Sequence, residues 1–186
     1  MKPFSEPSER NRAPILAVLK RVFSDSRSVL EIGSGTGQHA AYFAPELPHL
    51  AWQASDRAEN LADIRKWVAN PIELDVDKPF PKVDADAVFT ANTCHIMSWP
   101  QVERMFDGIG TIATLKTLCL YGPFNYGGKH TSESNARFDA TLRGRDPASG
   151  IRDAEAIAGL AGKSGFALAE DNAMPANNRL LVFRRD

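Results

Sequence analysis

Two cysteines, Cys94 and Cys119, are too few for a disulfide-stapled scaffold, and both are expected as free thiols in a reducing, cytoplasmic setting. Long apolar runs are also missing. No stretch approaches the roughly 20 residues that cross a bilayer, so no membrane partner is expected. Nor does the polar start, Met1-Lys2-Pro3-Phe4-Ser5-Glu6, read as a secretory signal. Basic excess is absent: Lys and Arg number 22 against 23 Asp and Glu, a formal net charge of −1, which disfavours a nucleic acid partner held through many phosphates. No group of His, Cys, Asp and Glu has metal-ligand spacing, and no repeat or low-complexity tract interrupts the chain. With 43% hydrophobic and 24% charged residues, positions 1–186 are expected to form a single globular domain.

What is present centres on Val29-Leu30-Glu31-Ile32-Gly33-Ser34-Gly35-Thr36-Gly37-Gln38-His39-Ala40. A short buried strand runs into three glycines at spacing two and then into a helix. Such a turn lets backbone amides approach a ligand, with the helix N-terminus adding partial positive charge. A Cβ at these glycines would block the ligand or forbid the turn. A dinucleotide fingerprint would require glycine at position 38, where Gln38 stands. Ser34 stands in Gly-Ser-Gly rather than the Gly-x-Ser-x-Gly of a nucleophile elbow.

Periodicity supplies the rest of the frame. Helices are expected over 12–24, with Pro14 in the first turn, from the glycine loop to before Pro48, over 61–68, over 101–112 and over 153–163. Strands are expected over 27–32, 50–54, 71–75, 85–91, 115–121, 166–171 and 179–184. Alternating strands and helices predict an α/β fold, a parallel sheet covered on both faces. The polar segment 122–152, with a short helix capped by Ser132, reads as a lid.

In an open parallel sheet, ligands bind beyond the carboxyl ends of the strands. Asp56 ends the second strand, about twenty residues past the glycine loop, where a carboxylate can accept ribose hydroxyls. Asp75 ends the third, within reach of an adenine amino group, and Glu31 is placed to face an α-amino group. Each acid alone also reads as a turn cap. Together with the glycine loop, in this order, they point to a nucleoside ligand.

The Glu-x-Gly-x-Gly-x-Gly pattern resembles motif I of the class I S-adenosylmethionine (SAM) dependent methyltransferases, and the order of elements is similar throughout. Five stretches resemble a subfamily of that fold, the methyltransferase-like proteins of domain of unknown function 938. They are Ser8-Glu9-Arg10-Asn11-Arg12, Glu31 to His39, Leu120-Tyr121-Gly122-Pro123-Phe124, Arg145-Asp146-Pro147 and Met174-Pro175-Ala176-Asn177-Asn178. The resemblance implies a Rossmann-like three-layer sandwich whose mostly parallel seven-stranded sheet ends in an antiparallel strand. It implies SAM as cofactor, with Gly33, Ser34 and Gly35 at the methionine part, Asp56 at ribose and Asp75 at adenine. One departure is that Ala113-Thr114-Leu115-Lys116-Thr117 replaces the usual Leu-Lys-Pro-Gly-Gly turn, at the end of the sheet away from the cofactor.

For the methyl acceptor, the residues beyond the fourth strand matter most. His95 is a candidate base, with packing beside Trp99 as its ordinary reading. Asn92 is a candidate for cofactor or acceptor, and Tyr121 for the pocket wall. Asn92-Thr93-Cys94-His95 does not resemble the Asn-Pro-Pro-Tyr motif of enzymes that methylate nucleic acid bases. Asn11 and Arg12 are expected to close over the cofactor, and His130, Asn135, Asn177 and Asn178 to line the lid and rim. Asn11 and the asparagines at 177 and 178 also read as a cap and as turn residues. Lys129, Arg137, Arg143 and Arg145 suggest an acidic small-molecule acceptor. His39 reads as structural. The expected function is therefore methyl transfer to a small molecule. The alternatives are a non-catalytic module binding SAM or its demethylated product, S-adenosylhomocysteine (SAH), and a nicotinamide-dependent oxidoreductase.

Overall fold

Residues 2–185 are described by the computed structural model. In chain order they form α1 (Glu6–Val22), β1 (Ser28–Ile32), α2 (Gln38–Glu46), β2 (Ala51–Asp56), α3 (Leu61–Ile64), β3 (Ile72–Glu73), β4 (Ala87–Ala91), α4 (Trp99–Gly110), β5 (Thr117–Gly122), β6 (Phe124–Asn125), α5 (Glu133–Arg145), β7 (Arg152–Asp153), α6 (Ala154–Lys163), β8 (Ala167–Met174) and β9 (Asn178–Arg184). Seven strands make one sheet in the order β3-β2-β1-β4-β5-β9-β8. The first five are mutually parallel, and β9 runs antiparallel to both of its neighbours.

Side chains alternate across a strand, and here both faces are apolar. Leu30, Val88, Leu118 and Leu181 pack on one face under α4 and α6, while Val29, Phe89, Cys119 and Val182 pack on the other under α1 and α2. Both cysteines are free and buried. They lie in cores on opposite sides of the sheet, Cys94 with the first group and Cys119 with the second.

Several boundaries differ from expectation. α1 begins at Glu6 rather than 12, capped by the Ser5 side chain, with Glu6 and Glu9 in its first turn, so Pro14 sits inside the helix. Its first two turns are too polar to show an apolar stripe. α4 starts at Trp99, held by a capping box between Ser98 and Gln101. β3 is only two residues long, which leaves Asp75 in the turn beyond it rather than at a strand end. The helix expected over 61–68 is a single α-helical turn, α3, preceded by a 3-10 turn. The 122–152 segment is more ordered than a loop. Its helix, capped by Ser132 as expected, spans 13 residues, and its two ends pair as the parallel ribbon β6–β7.

Candidate active site

Strand ends β1, β2, β4 and β5 converge beside the glycine loop. Glycine is required at 33 for a reason other than a ligand. With φ at +72°, a Cβ there would meet Thr93 Cγ2 at 2.6 Å. Gly35, at φ +57°, is the opposite case, because nothing lies within 4 Å of its Cβ position. Gly35 is exposed, with open space beside it.

The loop's amides are largely spent inside the protein. Ser34 N–H donates to Ser55 O (2.9 Å), Gly35 N–H to Asp56 Oδ2 (2.7 Å) and Gly37 N–H to Ser34 O (2.8 Å). Ser34 Oγ also accepts from Ser55 N–H. The expected cradle of free amides is thus a loop stitched to β2. The other oxygen of Asp56 accepts from Arg57 N–H and Asn60 Nδ2. A carboxylate has about four acceptor positions, so one more partner can be taken. Asp75 is half-buried in a local turn, with Oδ1 accepting from Asp77 N–H.

Glu31 is the most unusual acid of the site. It is 1% exposed, and Trp52 Nε1 donates to its Oε2 at 3.0 Å. Burial pushes its carboxyl up to about 7, with the nearby Asp56 charge acting in the same direction and the Trp52 hydrogen bond opposing. Beside Trp52 lies an aromatic cluster of Phe43, Phe89 and His39. His39 Nε2 lies 2.7 Å from Asn11 Oδ1, and burial lowers its imidazole to about 4. His39 is structural, as expected. Asn11 is buried in turn and approaches the Tyr121 hydroxyl, as does Asn178; burial raises the Tyr121 phenol. Asn11, Tyr121 and Asn178 are thus brought together. Arg12 is not, since it pairs with Glu9 and lies over the Tyr42 ring at 4.3 Å.

Beyond β4, Asn92 adopts a left-handed backbone (φ +59°), and its N–H donates to Tyr121 O. Asparagine tolerates this region better than most residues. His95 Nδ1 and Asn92 Oδ1 both face Gly122, at 3.6 and 3.9 Å from where its Cβ would be. Burial lowers the His95 imidazole to about 4, so it is neutral at pH 7. Its ring meets Phe138 of α5 edge-on, with centroids 5.3 Å apart.

The 122–152 segment is fastened to this end of the sheet. His95 O accepts from Gly150 N–H (2.9 Å). Asn135 Nδ2 donates to Thr131 Oγ1 and to Asn177 O, joining α5 to the β8–β9 turn. His130 Nδ1 lies 2.9 Å from Asn125 Oδ1, and its Nε2 is 3.7 Å from the Asp139 carboxylate. The segment's cations are mostly committed. Arg137 pairs with Glu133, Arg143 with Asp139, and Arg152 donates to the carbonyls of Cys94, Met97 and Ala148.

Sequence reasoning missed Trp52, Thr93 and the orphan at Gln38. Gln38 Oε1 accepts from Ser5 N–H, while its Nε2 is the one buried side-chain polar atom without a partner among the described residues. In the sequence, position 38 shows only that a third glycine is missing. A groove of about 460 Å³ opens at the far end of the sheet, near Ala51, Trp52, Gln53, Ile72 and Lys82, and is lined by neither the glycine loop nor any of the candidate acids. Among the described residues no set of His, Cys, Asp and Glu is placed to hold a metal, and no helix is long and apolar enough to cross a membrane.

Solved structures share this architecture. An O-methyltransferase family protein from Burkholderia thailandensis superposes with a TM-score of 0.81 at 17% identity, covering 94% of this chain and 56% of that one. For the mitomycin 7-O-methyltransferase MmcR the values are 0.81, 19%, 97% and 54%. For human N-acetylserotonin methyltransferase in complex with SAM they are 0.79, 16%, 97% and 53%. The chain spans a little over half the length of these proteins, and the likeness establishes the Rossmann-like methyltransferase fold. With the glycine loop, the acids and the rim asparagines on this frame, and a family match over residues 2–185, the chain belongs to the family described as Protein of unknown function (DUF938).

Proposed function

We propose that this protein is a SAM-dependent methyltransferase whose acceptor is a small molecule methylated on oxygen. The observation that carries the reading is the pairing of Gly35 with Asp56 beside the buried Glu31: an open position in the loop, flanked by two acids. That donor set suits a ligand bearing an ammonium group and vicinal hydroxyls. When bound, SAM supplies a methyl group on a positively charged sulfur.

The chain's own groups divide the work. Glu31 holds the ammonium, Asp56 the ribose hydroxyls and Asp75 the adenine amine, with Gly33 and Ser34 shaping the loop beneath. Asn92, its backbone pinned to Tyr121, orients cofactor or acceptor. Methyl transfer is an in-line displacement, so positioning carries most of the catalysis. A hydroxyl acceptor must also lose a proton. His95, whose Nδ1 faces Gly122 at the end of β5, accepts it against the burial and the Arg152 charge that disfavour its protonated form. The O-methyltransferases that share the fold support oxygen as the acceptor atom.

Thermal shift with SAM, SAH, NAD and NADP tests the cofactor, and conversion of SAM to SAH in a metabolite pool tests turnover. SAH is expected to raise the melting temperature while NAD and NADP leave it unchanged. Stabilisation by NAD alone would overturn the reading, and SAH binding without turnover would reduce it to a binding module.

A further inference from the structure

Phe138 lies on the same face of α5 as its buried residues Asn135, Asp139 and Leu142, yet it stands 40% exposed. The helix cannot turn to hide it. Asn135 ties one end to Asn177 O, and the Asp139 carboxylate accepts from Ile151 N–H at 2.7 Å and from Arg143. Phe138 meets the His95 ring edge-on and keeps part of its aromatic surface open. Ile96, the residue after His95, is 58% exposed.

Among the arginines of this segment, Arg137 and Arg143 each face a carboxylate and Arg152 donates to three carbonyls, so an anionic acceptor would have to compete with those partners for their N–H groups. Of the four cations that suggest an acidic acceptor from sequence, Lys129, Arg137, Arg143 and Arg145, Arg137 and Arg143 face carboxylates. Dispersion and apolar burial at Phe138 are the interactions left to hold the acceptor's body.

We propose that Phe138, fixed edge-on to His95, is a specificity-determining wall of the acceptor site, and that the acceptor is a neutral, flat, apolar-bodied compound carrying a hydroxyl. This rests on the reading of the strand-end cleft as a methyltransferase site. His95 meets the hydroxyl while Phe138 stacks against the ring that bears it. In the transfer, the acceptor oxygen bonds to the methyl carbon, the carbon–sulfur bond breaks with its electron pair going to sulfur, and the hydroxyl proton passes to His95.

The probes are 2-naphthol and 6-hydroxy-2-naphthoate, which share a ring system and differ by a carboxylate. Each is titrated into SAH-saturated protein by saturation-transfer NMR, and each is then supplied with labelled SAM. Naphthol is expected to bind at least tenfold more tightly than the naphthoate. Phe138→Ala is expected to weaken naphthol about tenfold while SAH affinity stays within twofold, and Phe138→Tyr to restore it. Equal or tighter binding of the naphthoate, no binding of naphthol, or indifference to Phe138→Ala would each overturn the proposal. Phe138-dependent naphthol binding without methyl transfer would sink the methyltransferase reading and leave the ligand class standing. Turnover of another acceptor, indifferent to Phe138, would do the reverse.

Discussion

The Asp56 carboxylate accepts the backbone N–H of Gly35 at 2.7 Å, so the end of β2 and the glycine loop move as one piece. Asp56→Ala strands this N–H and the donors of Arg57 and Asn60 together. Unfolding free energy should fall by about 1–3 kcal/mol. SAH affinity should fall at least tenfold, about 1.4 kcal/mol. Calorimetry beside urea denaturation checks both. Unchanged SAH binding would remove Asp56 from the cofactor site.

Gly33 is constrained by a neighbour as well as by its backbone. Gly33→Ala should cost about 1–3 kcal/mol for the left-handed conformation, with the Thr93 methyl contact added. Thr93→Ser removes that methyl and keeps the hydroxyl that meets Thr90 Oγ1 at 2.7 Å. The double variant should recover part of the lost stability, measured as the urea midpoint. No recovery would leave backbone conformation as the whole cause.

Glu31 gives a pH signature of known sign. Its folded value is about 7 against an ordinary 4.5, so between these the native state holds the extra proton. Its stabilising contribution is full below pH 4.5 and is lost as pH rises through 7, by ~3 kcal/mol. His39 and His95, lowered from 6.5 to about 4, act oppositely, adding stability as pH rises over that window. The comparison is therefore wild type minus Glu31→Gln, a difference expected to decline from pH 4.5 to 7.5 in denaturant titrations. SAH, bringing an ammonium to the carboxylate, should bind more tightly as pH rises through 7 in wild type and show no such trend in Glu31→Gln.

At His95, substitution should separate chemistry from cofactor binding. His95→Gln is expected to lower kcat by a factor of about 10² to 10⁴ while SAH affinity stays within twofold. Single-turnover kinetics with a working acceptor would measure this. A kcat within threefold of wild type would return His95 to a packing role against Phe138.

Ala176 and Asn177 sit side by side in left-handed conformation at the β8–β9 turn (φ +58° each). Alanine suits this region poorly. Ala176→Gly should raise stability by roughly 0.5–1 kcal/mol, read as an upward shift of the urea midpoint. A lower midpoint would mean the methyl group packs where the turn appears open.

Much of this was legible in the order of residues. The apolar runs around 29–32 and 87–91 announce strands buried on both faces, and the helical spacing of Val102, Met105, Phe106 and Ile109 announces α4. Glu31, the glycine loop and Asp56 announce that one end of the sheet gathers them, because each stands at or next to a strand–loop junction. The start of α1 was not legible, since a polar helix held by the Ser5 cap carries no apolar period. The β6–β7 ribbon was hidden too, because two-residue strands leave no alternation to read.

By itself, the sequence determined which segments become buried strands, which become helices, and that two acids and three glycines collect at one end of the sheet. These are local properties, set by periodicity and by the backbone freedom of glycine. Tertiary structure alone decided which groups stay available. Gly33 meets Thr93, Trp52 reaches Glu31, Asn11 finds His39, and Arg137, Arg143 and Arg152 find their carboxylates and carbonyls. Many of these partners lie tens of residues apart, and burial and charge pairing depend on distance in space, which no local pattern encodes.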